Sequence, residues 1–163
     1  MPELPELPDV PPTTEDVLRR SRLHRVPGVY VVARCAGVGD ATRHLIVTRD
    51  ELETTVITRP EHLADCEVLE RNPDAWVLLA IDCANPFYCV GFLARLTSAL
   101  AAAGIDVLAC STFTRDSLLV QEAQAERAIA ALRAAGLEAA FAPDTGNGRR
   151  GPAAESRPLR PSR

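Results

Sequence analysis

Lysine is missing from this sequence. All 18 basic residues of the 163-residue chain are arginines, a bias read as genome composition rather than chemistry. Aromatic residues are scarce too, at 4%, although hydrophobic residues reach 47%. A core made from this chain therefore rests on Ala, Leu and Val. Basic charge is in deficit, with a formal net charge of −4. That argues against nucleic acid as a partner, because phosphate binding draws on an excess of cationic side chains.

Other absences narrow the chemistry. His24, His44 and His62 are scattered and make no ligand cluster. Cys35, Cys66, Cys83, Cys89 and Cys110 are odd in number and contain no CxxC. Reduced, mostly buried thiols in a cytoplasmic protein are the expectation, with Cys83 and Cys89 the only close pair in sequence. No metal and no cofactor are implied. There is no G-x-S-x-G, no H-E-x-x-H and no pair of carboxylates in an apolar setting, so no catalytic constellation is visible and no enzyme is expected. "GNGRRG" (Gly146 to Gly151) has dinucleotide-motif spacing but is followed by Pro152 and a polar tail instead of a helix.

Membrane features are absent as well. The start, "MPELPELPDVPPTTED", has no basic n-region and no apolar h-region, so it does not read as a secretory signal. The longest nearly apolar stretch, Pro86 to Ile105, carries Arg95 at its centre. An arginine there costs about 2.5–3.5 kcal/mol even on a lenient insertion scale. A soluble helix, with no membrane partner, is the expectation.

What is present divides into tails and two units. Residues 1–25 read as a disordered or extended tail, acidic and proline-rich at first and arginine-rich later. Thr13 and Asp16 have capping-box spacing, so a short helix before Pro27 fits. Residues 143–163 read as a disordered basic tail.

Residues 74–142 carry the clearer unit. "AWVLLAIDC" (Ala75 to Cys83) reads as a buried strand. Gly91 to Ala103 reads as a helix with Leu93, Leu96 and Leu100 on one face and Gly104 as its stop. Ile105 to Thr112 and Asp116 to Val120 read as strands. Ala123 to Ala135 is a second helix, with Ala125, Ala128, Ile129 and Leu132 at helical spacing, and "LEAAFA" is a last strand. The order βαββαβ is the ferredoxin-like α+β pattern. Residues 26–73 repeat it in degenerate form: a strand in "GVYVVARC", a hairpin from "HLIVT" and "ETTVIT", a short helix from Pro60 and a strand in "CEVLE". The stretch Ala36 to Arg43 is too short for a packed helix.

The run "ALAAAGIDVLACSTFTRDSLLV" resembles the C-terminal signature of the CASTOR-type ACT domain family. Leu100, Ala103, Gly104, Ile105, Ser111, Thr112, Asp116, Leu119 and Val120 match it, and Phe113 stands where that family has an aromatic. "PGVYVVARC", "VTRDELETTVIT" and "RPEHL" are similar to the family's N-terminal half. Arg115 and Ser117 depart from the pattern, where a threonine and an aromatic are usual. The resemblance covers about Val26 to Ala135. It implies two tandem ACT units, the first degenerate. It also implies an amino-acid ligand held at their junction, a regulated protein partner and a homodimer.

The residues themselves suit a zwitterion. The segment "DCANPFYCVGF" leads from a strand into a helix, whose start offers unpaired N–H groups to an anion. Gly91 there permits close approach to the backbone. Asp116 can accept from an ammonium, Ser111 and Thr112 can donate or accept, and Phe113 can wall a pocket. The candidate ligand site is therefore Asn85, Pro86, Phe87, Gly91, Ser111, Thr112, Phe113 and Asp116. Asp116, if it is buried there, calls for a cationic partner, with Arg115 a candidate. Ser, Thr and Asp are also ordinary turn formers, and Pro86 and Gly91 an ordinary helix start. An assembly module that pairs sheets and binds nothing small is the competing reading.

Overall fold

The computed structural model describes residues 13–83 and 89–139. It is an α+β arrangement of three helices on one face of a curled sheet, the ferredoxin-like class the βαββαβ order predicts.

Helix α1 spans Thr14–Arg20. Thr13 caps it, its side chain accepting from the Asp16 N–H and donating to Asp16 Oδ2 at 2.7 Å. The capping-box spacing thus reports a real cap. Val17 and Leu18 of α1 are buried. Residues 13–25, part of the expected tail, are accordingly helix and strand, while the prolines before them lie outside the described residues.

Strand β1 runs over Arg22–Val38. Strands β2 (Ile46–Arg49) and β3 (Thr54–Thr58) form the expected hairpin. A 3-10 turn at Pro60–Asp65 leads into β4 (Cys66–Arg71). Then come β5 (Trp76–Asp82), α2 (Phe92–Ala102), β6 (Leu108–Ser111), β7 (Arg115–Gln121), α3 (Ala125–Ala134) and β8 (Glu138–Ala139).

The sheet order is β2-β3-β1-β5-β7-β6, with β4 and β8 also paired to β1. Strand β1 belongs to both halves. Its first residues, Arg22 and Leu23, lie between β5 and β8; its last half lies between β3 and β4. A four-stranded ferredoxin-like unit would set β5 beside its last strand; here β1 stands between β5 and β8. The strand bends where its β5 register shifts between Val26 and Tyr30. Pro27 offers no N–H to the ladder, and Gly28, at φ 82°, takes a left-handed backbone that glycine alone adopts freely.

The alternation of β5 divides the core. Val77, Leu79 and Ile81 pack with Leu118 and Val120 of β7 against Phe92, Leu96 and Leu100 of α2 and Ala128, Ile129 and Leu132 of α3. Trp76 and Leu78 face the other way, with Leu119, Tyr30 and Ile57. Both faces of β5 are covered, which is why "AWVLLAI" is apolar at every position instead of alternating. The α2 face is Phe92, Leu96 and Leu100; Leu93, expected on it, is exposed. Phe92, at i, i+4, i+8 spacing with Leu96 and Leu100, takes the buried place instead. The α3 face is the expected one.

Candidate functional site

The sheet end where β5 stops and β7 starts gathers charged residues from three strands. Asp82 ends β5 and stands in register with Arg115, the first residue of β7. His24 of β1 pairs with Ala80, so alternation sets its side chain on the same face as Asp82. Arg115 Nε donates to Asp82 Oδ1 at 2.6 Å, and His24 Nε2 lies 2.6 Å from Asp82 Oδ2. Both carboxylate oxygens are engaged, yet all three side chains remain about half exposed.

One position along, Asp116 pairs with Ile81 and with Ser111. Ile81 is buried against the helices, so Asp116 and Asp82 occupy opposite faces of the same sheet end. Ser111 Oγ donates to Asp116 Oδ1 at 2.5 Å. Thr112 closes the turn, its N–H donating to the Arg115 carbonyl at 2.8 Å and its hydroxyl reaching the same oxygen at 3.3 Å. Phe113 sits at the tip, 78% exposed. The turn chemistry expected of Ser, Thr and Asp is therefore present. Asp116 takes a hydroxyl partner rather than a cation, and Arg115 serves Asp82 instead.

Gly91 precedes α2 at φ 86°, a left-handed entry with no side-chain cap. Thr14 Oγ1 of α1 donates to the neighbouring Val90 carbonyl at 3.0 Å, which fixes the approach of the chain to α2. Asn85, Pro86 and Phe87 lie outside the described residues. The structure thus brings Ser111, Thr112 and Asp116 together and adds His24, Asp82 and Arg115, none of which was in the expected site. Asp82 had a signal: a carboxylate closing a wholly apolar strand. His24 had none, since its position depends on β1 pairing with a strand far along the chain.

This cluster joins an acceptor for an ammonium to donors for a carboxylate. Charge-assisted bonds of this kind are shorter and stronger than neutral ones. Among the described residues no three His, Cys, Asp or Glu side chains are grouped so as to hold a metal ion. No described helix is long and apolar enough to cross a membrane. All five cysteines are free thiols; Cys35 is buried and the other four half-buried.

Comparison with known proteins agrees with the fold. Residues 71–134 match the ACT domain family. Among solved structures, a Vibrio cholerae protein of unknown function, described as a possible transport protein, is 21% identical. It covers 75% of this chain and 94% of its own, with a TM-score of 0.61. A protein from Agrobacterium tumefaciens is 23% identical over 74% of this chain and 92% of its own, TM-score 0.62. A putative C-terminal regulatory domain of aspartate kinase from Porphyromonas gingivalis is 14% identical over 74% and 99%, TM-score 0.51. No curated protein matches the chain. The ACT-matched segment runs from the end of β4 to the end of α3, so it contains Asp82, Gly91, Ser111, Arg115 and Asp116, while His24 reaches the cluster from outside it.

Proposed function

We propose that this chain is a non-catalytic regulatory module of the CASTOR-type ACT kind that binds an amino acid. The ligand site is at the β5–α2 junction: Asn85, Pro86, Phe87 and Gly91 on the loop side, Ser111, Thr112, Phe113 and Asp116 on the turn side, joined by His24, Asp82 and Arg115. The observation that carries the reading is the half-exposed Asp82–Arg115 pair at the end of β5 within the ACT-matched segment, which also holds the glycine-led start of α2. On the helix face a ligand ammonium would take Asp116 and its carboxylate the helix N–H groups; on the other face the ammonium would take Asp82 and the carboxylate Arg115. The module acts in the cytoplasm as a homodimer and passes occupancy to a protein partner; edge strands β2 and β6 offer the unpaired backbone for self-association.

A second reading draws on a different observation. Asp82 is satisfied by Arg115 and His24, and Asp116 by Ser111, with no ligand. On that reading the pocket is self-filled and the chain is an assembly module. A thermal-shift panel of the twenty amino acids separates the two. A ligand at a hundred times its dissociation constant stabilises the folded state by about 2.7 kcal/mol. A sensor responds to one or a few amino acids and loses that response in Arg115→Gln. A wild-type protein that responds to none leaves the assembly reading.

A further inference from the structure

The first half of the chain brings together two thiols and an imidazole that its sequence spaces far apart. Cys35 lies on β1 and Cys66 opens β4, its antiparallel neighbour. Cys66 packs against the small core that Cys35 forms with Ala33 and Val56. On its other side Cys66 Sγ is 3.7 Å from His44 Nε2. The opposite ring nitrogen, His44 Nδ1, is 2.8 Å from the hydroxyl of Thr58, which is fully buried.

This placement is held by bonds around it. Arg43 Nη1 meets Asp65 Oδ2 at 2.6 Å, and His62 Nδ1 donates to the Arg43 carbonyl at 2.8 Å. The residues on the N-terminal side of His44 and of Cys66 are thus tied to one another. Cys66 is half-buried. Cys35, though buried, is among the residues lining an open pocket of about 260 Å³, with Arg34, Leu52 and Thr54 by the β2–β3 hairpin and Leu69 of β4. Cys35 stands opposite Val68 and Cys66 opposite Val38, so the two thiols are diagonal neighbours; the register shifts on both sides of Cys35, and a bond between them requires the strands to move at this irregular stretch.

From this geometry we infer that Cys66 is an oxidant-reactive modification site, with His44 as its base and Cys35 as its resolving thiol, and that its substrate class is a small hydroperoxide. His44 Nε2 takes the proton of the Cys66 thiol when Nδ1–H donates to Thr58. The Cys66 sulfur attacks one peroxide oxygen and the O–O bond breaks. The departing oxygen takes the proton from His44 and leaves as water or an alcohol. Cys66 is now a sulfenic acid and the peroxide is reduced. The Cys35 sulfur then attacks the Cys66 sulfur, the S–O bond breaks, and hydroxide leaves with the Cys35 proton as water. Two thiols and one hydroperoxide give one disulfide, one alcohol or water, and one further water. The product staples β1 to β4 ahead of β5 and is reversed by a dithiol.

Hydrogen peroxide on the full-length protein tests this. Expected is an intact mass lower by two hydrogens, a single Cys35–Cys66 cross-linked peptide, and recovery with dithiothreitol. In Cys35→Ser the reaction stops at a sulfenic acid on Cys66 that dimedone traps. In His44→Asn, oxidation of Cys66 slows roughly tenfold. A cross-link through Cys83, Cys89 or Cys110 instead, or no hydrogen loss under conditions that oxidise free cysteine, overturns the assignment. So does a His44→Asn protein that is folded by circular dichroism and oxidises at the wild-type rate. The wild-type cross-link map decides the pairing even if that variant does not fold.

Discussion

Arg115 reaches across from β7 to Asp82 at the end of β5, Nε to Oδ1, at 2.6 Å, and this pair, not Asp116, holds the cation at the sheet end. Because Asp82 also meets His24 of β1, one carboxylate links β1 to the ACT-matched segment. Both oxygens of Asp82 are thus bonded within the chain.

Breaking the pair should cost little stability. Both side chains are close to half exposed, at 49% and 44%, and exposed ion pairs contribute about 0.2–1 kcal/mol. Arg115→Gln should shift urea unfolding by no more than that while abolishing any amino-acid-induced thermal shift. A fully retained ligand response in this variant would remove Arg115 from the site.

Asp116 should behave differently. Its bond from Ser111 joins β6 to the start of β7, so Asp116→Ala should lower stability by about 1 kcal/mol without ligand. Ser111→Ala should give a similar loss, and the double variant should lose less than the sum. Additive losses in a denaturant double-mutant cycle would mean that the bond does not form in solution.

Gly91→Ala tests the entry to α2. A Cβ there would come no nearer than 3.8 Å to Thr14 Oγ1, so space is open and the cost is conformational, from φ 86°. A loss of about 1 kcal/mol in chemical denaturation is expected. Leu118→Ala sets the scale beside it. Leu118 is fully buried between the helices and the sheet, and should cost about 2–5 kcal/mol. If Gly91→Ala is neutral, the left-handed turn is not populated.

Acid should weaken the caps and turns first. Thr13 and Arg19 hold the Asp16 carboxyl below its usual value of 3.8. The Thr42 hydroxyl and backbone N–H do so for Asp40, and the N–H groups of Glu53 and Leu52 for Asp50. A carboxylate depressed in the folded state adds stability above its unfolded pKa, and that stability is lost as pH falls through the folded value. Stability should therefore decline below about pH 4. The triple variant Asp16→Asn, Asp40→Asn, Asp50→Asn should show a shallower decline in thermal midpoint over the same range. An equal slope would assign acid sensitivity to other carboxylates.

Much of this protein was legible in its sequence, and for local reasons. Thr13 capping Asp16, the Ala128–Ile129–Leu132 face, the hairpin around Asp50 and the Ser111–Asp116 turn are set by residues within a few positions of one another. Periodicity and turn chemistry report such features directly. The ferredoxin-like class followed from their order. What tertiary structure alone decided is long-range pairing: β1 running through both halves of the sheet, His24 meeting Asp82, Arg115 turning to Asp82 instead of Asp116, and Cys66 lying between Cys35 and His44. No local pattern encodes these contacts. They depend on strand register, and a register displaced by one residue would put His24 on the opposite face from Asp82. That register is fixed only when Val77, Leu79 and Ile81 find the helices on one face and Trp76 and Leu78 find Tyr30 and Ile57 on the other.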